Sequence, residues 1–217
     1  MTVRQVSAKI DIRLNKGASA DYDHTWSYIK EEAFNKAVNE WVRRQKHGVN
    51  MLKEGDEETD FKVDDLQVLL KADDVSPRNK GIYSEITLPS DYLYFKRATP
   101  IASKGNCSGV RLRSYFREEA NVDVLMHVPS FKFEETFHTA IGNKIHIYHN
   151  KDFNVDKVLL TYYRKPKFYS FKKLDTVIEF KDEIADIITD DACSIIASDI
   201  ESLNARALTE GRGEKNT

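Results

Sequence analysis

The sequence predicts an α+β fold: a long amphipathic helix near the N-terminus, a central antiparallel β-sheet, and a C-terminal helix packed on that sheet. Three observations lead there. Between Tyr22 and His47 apolar residues recur at three-to-four spacing. From Gly81 the period changes to two, and alternating runs follow one another to about Phe180. From Asp182 to Asn204 the helical period returns, with Ile184, Ile187, Ile188, Ala192, Ile195, Ile196, Ile200 and Leu203 on one face.

Each element has its own warrant. Val3–Leu14 alternates in part, with Ile10, Ile12 and Leu14 against Asp11 and Arg13, and reads as a short strand or an extended arm. In the first helix, Trp26, Ile29, Ala33, Ala37 and Trp41 form a stripe widened by Phe34, Val38 and Val42. Asp21 or Asp23 suits its cap, late cations from Arg43 to His47 suit its dipole, and Gly48 suits its end. Val63–Lys71 reads as a short helix, and Ala72–Lys80, with Asp73, Asp74, Pro77 and Asn79, as a loop.

In the β-rich region, Ile82–Leu88, Gly109–Phe116, Asn121–Val128, Lys144–His149 and Val158–Arg164 alternate. Asp91–Ala102 is strand or short helix, and Thr176–Phe180 is a candidate last strand. Pro129–Thr139 reads as a connection carrying aromatic anchors. No repeat and no long linker interrupt the chain, which reads as a single domain. Residues 1–21 are its N-terminal arm, 22–80 its helical region, 81–180 its β-rich region, 181–204 its last helix and 205–217 a flexible tail.

Composition bounds the function. The 217 residues are 41% apolar and 31% charged, yet the net charge is only −2. That balance argues against a dedicated nucleic-acid binder, which carries a strong basic excess. The stretch MTVRQVSAKIDIRLN has no long apolar core, so no signal peptide is expected. No apolar run approaches the roughly 18 residues of a membrane span. Cys107 and Cys193 match no metal or redox motif and fit a reduced, intracellular setting.

No constellation of catalytic residues stands out. His146 and His149 have metal-like spacing, but residues three apart on a strand face opposite sides, and no further ligand completes a set. Glu134, Glu135 and His138 resemble an acid–base cluster without a nucleophile. Asp56–Asp65 lacks the central glycine of a calcium loop. Asn106-Cys107-Ser108 matches the glycosylation sequon, which carries no meaning without secretion. No cofactor or metal is expected. Tyr162, Tyr163, Arg164, Lys165 and Lys167 can be read as a nucleic-acid stacking platform. The competing reading puts the tyrosines toward the core and the cations toward solvent or a neighbouring subunit.

Several stretches carry a family resemblance: IKEEAFNKAVNEWVRRQKHG with the following KEGDEE and VDDLQVLLK, then EEANVDVLMH, PSFKFEETFHT, GNKIHIYHN and VLLTYYRKP. Together they resemble structural proteins of crAss-like phages, short-tailed viruses of Bacteroidales, over roughly Leu14 to Asn204. The resemblance implies a virion protein assembled in the host bacterial cytoplasm: a neck or connector ring beneath the portal. Its implied partners are copies of itself, in a dodecamer matching the portal, the portal itself and other neck and tail rings. Genomic DNA would pass through without specific binding. A ring needs heterologous interfaces, and Trp41, Arg43, Arg44, Arg164, Lys165 and Lys167 are the candidate interface residues. Of the two tryptophans, Trp26 and Trp41, one is expected in the core and the other at an interface. A channel that lets DNA slide should not grip phosphate, so the acidic Glu54–Asp60, rather than Arg164–Lys167, is expected to face the lumen.

Overall fold

A computed structural model describes residues 1–17, 26–47, 65–127, 135–149, 151 and 153–213, with the side chains described through residue 200. Helices and antiparallel strands are both present, and the fold class is α+β. The chain forms two compact units where one domain was expected. Unit 1 comprises Met1–Val68 and Pro166–Thr217; unit 2, Leu69–Lys165, is inserted between these halves.

Unit 1 is helical. Its first helix, α1 (Val3–Gly17), replaces the expected strand or arm. Val3, Val6, Ile10 and Leu14 are buried at helical spacing, while Ile12, the middle of the apparent alternation, is exposed. Thr2 and Gln5 start the helix with a reciprocal capping box. The Gln5 N–H donates to Thr2 Oγ1 (3.4 Å), and the Thr2 N–H donates to Gln5 Oε1 (2.9 Å). The long helix α2 (Ser27–His47) buries Ala33, Phe34, Ala37, Val38, Trp41 and Val42. Its expected caps at Asp21, Asp23 and Gly48 lie outside the described residues.

The last helix of the chain runs over Asp182–Gly213, so the backbone of most of the expected tail is helical. Ile184, Ala185, Ile188, Ala192 and Ile196 are buried, and the helix packs against α2 and α1. Ile187, placed on the same face from sequence, is exposed instead. Ion pairs tie the three helices. Arg13 reaches Asp186 (2.9 Å) and Asp190 (3.2 Å), Lys9 pairs with Asp186, and Arg44 pairs with Asp191. The buried Lys30 amine of α2 meets Asp11 of α1 at 2.6 Å.

The segment 166–180 is irregular, with turns at 171–172 and 174–175, and the expected strand Thr176–Phe180 is reduced to a single bridge, Val177 to Thr2. Asn35 holds the segment against α2. Its amide donates to the Tyr169 carbonyl (2.9 Å), and its Oδ1 accepts from the Tyr169 N–H (2.9 Å). Glu31 accepts from the Phe171 N–H at 2.8 Å and from the Ser170 hydroxyl at 3.0 Å. The Phe34 ring then packs edge-on against both Tyr169 and Phe171.

Unit 2 holds two sheets. The first has the order β1 (Leu70–Val75), β9 (Asn154–Arg164), β4 (Tyr92–Lys104), β5 (Cys107–Arg111). The second has the order β2 (Arg78–Asn79), β3 (Tyr83–Thr87), β8 (Lys144–Tyr148), β7 (Glu135–Ile141), β6 (Arg113–Phe116). All pairs are antiparallel except β6 with β7. One core joins the sheets: Ile86, Ile145 and Ile147 from the second meet Ala98, Val158, Leu160 and Tyr162 from the first.

Five expectations change here. The supposed loop Ala72–Lys80 contains most of β1 and all of β2, and the expected helix Val63–Lys71 is helical at 65–66 but then becomes a 3₁₀ turn at Gln67–Leu69 and enters β1. An edge strand tolerates Asp73 and Asp74 because one side meets solvent. Gly109–Phe116 is two strands, since buried Leu112 turns the chain from one sheet into the other. Asn121–Val128 contains the short helix α3 (Val122–Met126), whose Val122, Leu125 and Met126 cover Phe137 and Tyr148. The connection Pro129–Thr139 includes the start of β7. With α3 in place, the Asp182–Gly213 helix is α4.

Candidate interaction sites

The predicted interface residues fall into three environments. Trp41 is only 3% exposed, its ring edge-on to Phe180 at 5.3 Å. Its surface is used inside its own chain, which removes it as an interface anchor. Trp26, at the start of α2, is the exposed tryptophan, at 68%. Arg44 is spent on Asp191, while Arg43 is exposed. In unit 2, Arg164 Nη1 donates to the Lys165 carbonyl (3.1 Å) and Lys165 Nζ to the Ser90 carbonyl (3.2 Å). In unit 1, Lys167 is exposed beside Phe168, itself 70% exposed and absent from the sequence-based set.

The stacking platform does not form, because Tyr162 and Tyr163 are both buried. Strand β9 lies between β1 and β4, so both of its edges are paired. The Tyr162 hydroxyl lies 2.8 Å from Asp91 Oδ1 and 2.9 Å from Asp73 Oδ2. One proton serves one of these carboxylates at a time. Lys71 bridges both, at 3.0 and 3.1 Å, with its amine 5.8 Å from the Tyr162 ring. Burial and then the Asp91 hydrogen bond push the phenol up to about 12. Hydrogen bonds to Asp73, Tyr162 and Asp91 raise the Lys71 amine, and the Tyr162 and Lys71 hydrogen bonds lower Asp91 despite desolvation. Each shift is away from neutrality, the reverse of what a general acid–base pair requires. The cluster is a clamp across β1, β9 and β4. Tyr162→Phe is expected to cost about 1 kcal/mol, since Lys71 still neutralises the carboxylates; urea denaturation of the purified variant measures it.

The histidines separate similarly. His149 is buried, and its Nδ1 accepts the Lys151 N–H (3.2 Å), so Nε2 carries the proton and donates to Ser84 Oγ (3.1 Å). His146 is 3.7 Å from Glu85 and stacks on Tyr83 at 4.5 Å. His138 is buried on β7, its Nδ1 2.7 Å from Ser114 Oγ and its Nε2 without a hydrogen-bond partner among the described residues. Its expected companion Glu134 lies outside the described residues, as does Glu54–Asp60. Among the described residues no group of three or more potential ligands is arranged for a metal, and Cys107 and Cys193 are free thiols.

A feature the sequence did not reveal is a cleft of about 350 Å³ in unit 2. Arg97 and Thr99 of β4 line one side; Arg111, Leu112, Arg113, Ser114 and Tyr115 line the other. The three arginines are 14 and 2 positions apart in sequence, and the turn at Leu112 is what brings them together.

With the geometry in place, comparison with known proteins adds no identity: no family model and no curated protein matches the chain.

Proposed function

We propose that the chain is a structural virion protein, a subunit of a head-to-tail connector ring that joins portal to tail and forms part of the DNA conduit. The reading rests on the resemblance of its segments to ring proteins of short-tailed phages. One structural observation supports it: each unit carries its own set of exposed large apolar side chains. Unit 1 offers Trp26, Tyr28, Phe168 and Val177; unit 2 offers Phe116, Val124 and Ile141. A ring requires two different patches on one chain, a front that meets the next copy's back. Exposed aromatic and aliphatic anchors of this kind are what interface cores use.

The test uses complementation. Light scattering after size exclusion should show oligomers growing with concentration. Phe168→Asp and Val124→Asp, one in each unit, should each stop assembly. Mixing the two variants should give species that end at two subunits, because each retains one intact patch. A chain that stays monomeric at every concentration, alone and mixed, would count against self-assembly. A dimer that either single variant abolishes, with no rescue on mixing, would indicate an isologous contact instead of a ring.

A further inference from the structure

We propose that the Arg97–Arg111–Arg113 cleft of unit 2 binds the phosphodiester backbone of a single nucleic-acid strand, with a base on Tyr115. The inference is independent of the ring reading and concerns one chain.

Arg43 and Arg78, like these three arginines, have no ion pair among the described residues, and what distinguishes Arg97, Arg111 and Arg113 is that they border one cleft. Arg4, Lys9, Arg13, Lys30, Arg44, Lys71, Lys144, Lys157 and Lys181 each have a carboxylate within ion-pair distance. Arg97, Arg111 and Arg113 have neither an ion pair nor a side-chain hydrogen bond among the described residues, although all three are exposed and border one cleft. Even Glu135, the register partner of Arg113 across β6 and β7, forms no ion pair with it among the described residues. Three like charges with no counter-charge among the described residues repel one another, and a polyanion relieves that repulsion. Guanidinium forks match phosphate oxygens two at a time, and a lysine does not reproduce that geometry.

The dimensions and the rim favour a strand with accessible bases. The 350 Å³ volume is on the scale of a small-molecule site and suits a nucleotide-sized group. Tyr115 is 45% exposed at the rim, and Arg117 sits over its ring at 5.7 Å. Cations beside an exposed ring are the pairing that single-strand binders use, because every base has a face to stack. A duplex keeps its bases stacked and gains nothing from Tyr115. An acidic protein segment satisfies the arginines but leaves the ring without a role.

The experiment is fluorescence anisotropy of the full chain with a labelled oligo(dT) of about 12 nucleotides. Three phosphate contacts predict a slope of about −2 in log affinity against log salt, a loss of about 15-fold between roughly 50 and 200 mM. Arg97→Ala/Arg111→Ala/Arg113→Ala should abolish binding while leaving the thermal melt in place, because these side chains make no ion pair or hydrogen bond among the described residues. The triple lysine variant should keep the slope and lose affinity. Tyr115→Ala should weaken binding about tenfold without altering the slope. Absence of oligo(dT) binding at low salt overturns the proposal, as does binding that survives the triple alanine variant. If poly-glutamate binds through the three arginines and oligo(dT) does not, the cleft belongs to an acidic protein partner.

Discussion

Trp41→Ala is expected to destabilise unit 1 by about 3–5 kcal/mol, the range for emptying a large aromatic site in a packed interior. The side chain is 3% exposed, and Val38 and Val42 are buried beside it on α2. Its edge-on contact with Phe180 fixes the end of the 166–180 segment just before α4 begins at Asp182. Truncation therefore removes apolar burial and also the contact that positions the start of α4. Far-UV circular dichroism reads the effect, since α1, α2 and α4 all belong to unit 1. For a chain of this size the midpoint should fall by roughly 10 °C. Phe168→Ala is the contrast: at 70% exposure it should change stability by less than about 0.5 kcal/mol. If Trp41→Ala left stability intact and altered only assembly, the burial argument would fail.

The elements legible from sequence are those whose period is unmixed. Helix α2 and the strands β8 and β9 follow their patterns because one face of each is apolar and buried. The illegible ones have polar groups at buried positions or two patterns superposed. In β7, Thr136 and His138 are buried, the Thr136 hydroxyl donating to the Tyr148 carbonyl and His138 Nδ1 meeting Ser114. A strand with polar groups turned inward reads as a connection. In α1, Ile12 completes an apparent alternation that hides Val3, Val6, Ile10 and Leu14, although the Thr2–Gln5 box was available as a signal. Strand β1 carries Asp73 and Asp74, which suit the edge of a sheet and also suit a loop.

The division into two units was invisible for a related reason. Unit 2 is inserted between helical halves, and the chain passes from one unit to the other within the short run Arg164–Lys167, with no long linker to mark the change. The run from Tyr162 to Lys167, read as one feature, is split by that junction. Its tyrosines and first cations belong to a β-unit, its last lysine to a helical one. The arginine cleft needed the turn at Leu112, a tertiary event that no local pattern announces.

His138 should make stability depend on pH in a range where carboxylates do not. Burial pushes its imidazole down from the ordinary 6.5 to about 4. In the unfolded chain the same group takes a proton near 6.5. As pH falls below 6.5 the unfolded state therefore gains protons that the folded state refuses, and stability drops until the folded value near 4 is reached. Between pH 7 and 5 the loss is about 2 kcal/mol by this linkage. The carboxylates whose values are lowered by cationic partners, Glu85 and Asp186, carry stability that is fully present above their unfolded values and lost only at lower pH. Burial also lowers His149, so part of the slope belongs to that residue. Comparing wild type with His138→Gln by urea denaturation at several pH values separates the two. The variant should lose most of the dependence between pH 7 and 5 and keep the remainder due to His149. An unchanged slope in His138→Gln would show that the buried imidazole accepts its proton as readily in the folded chain as in water.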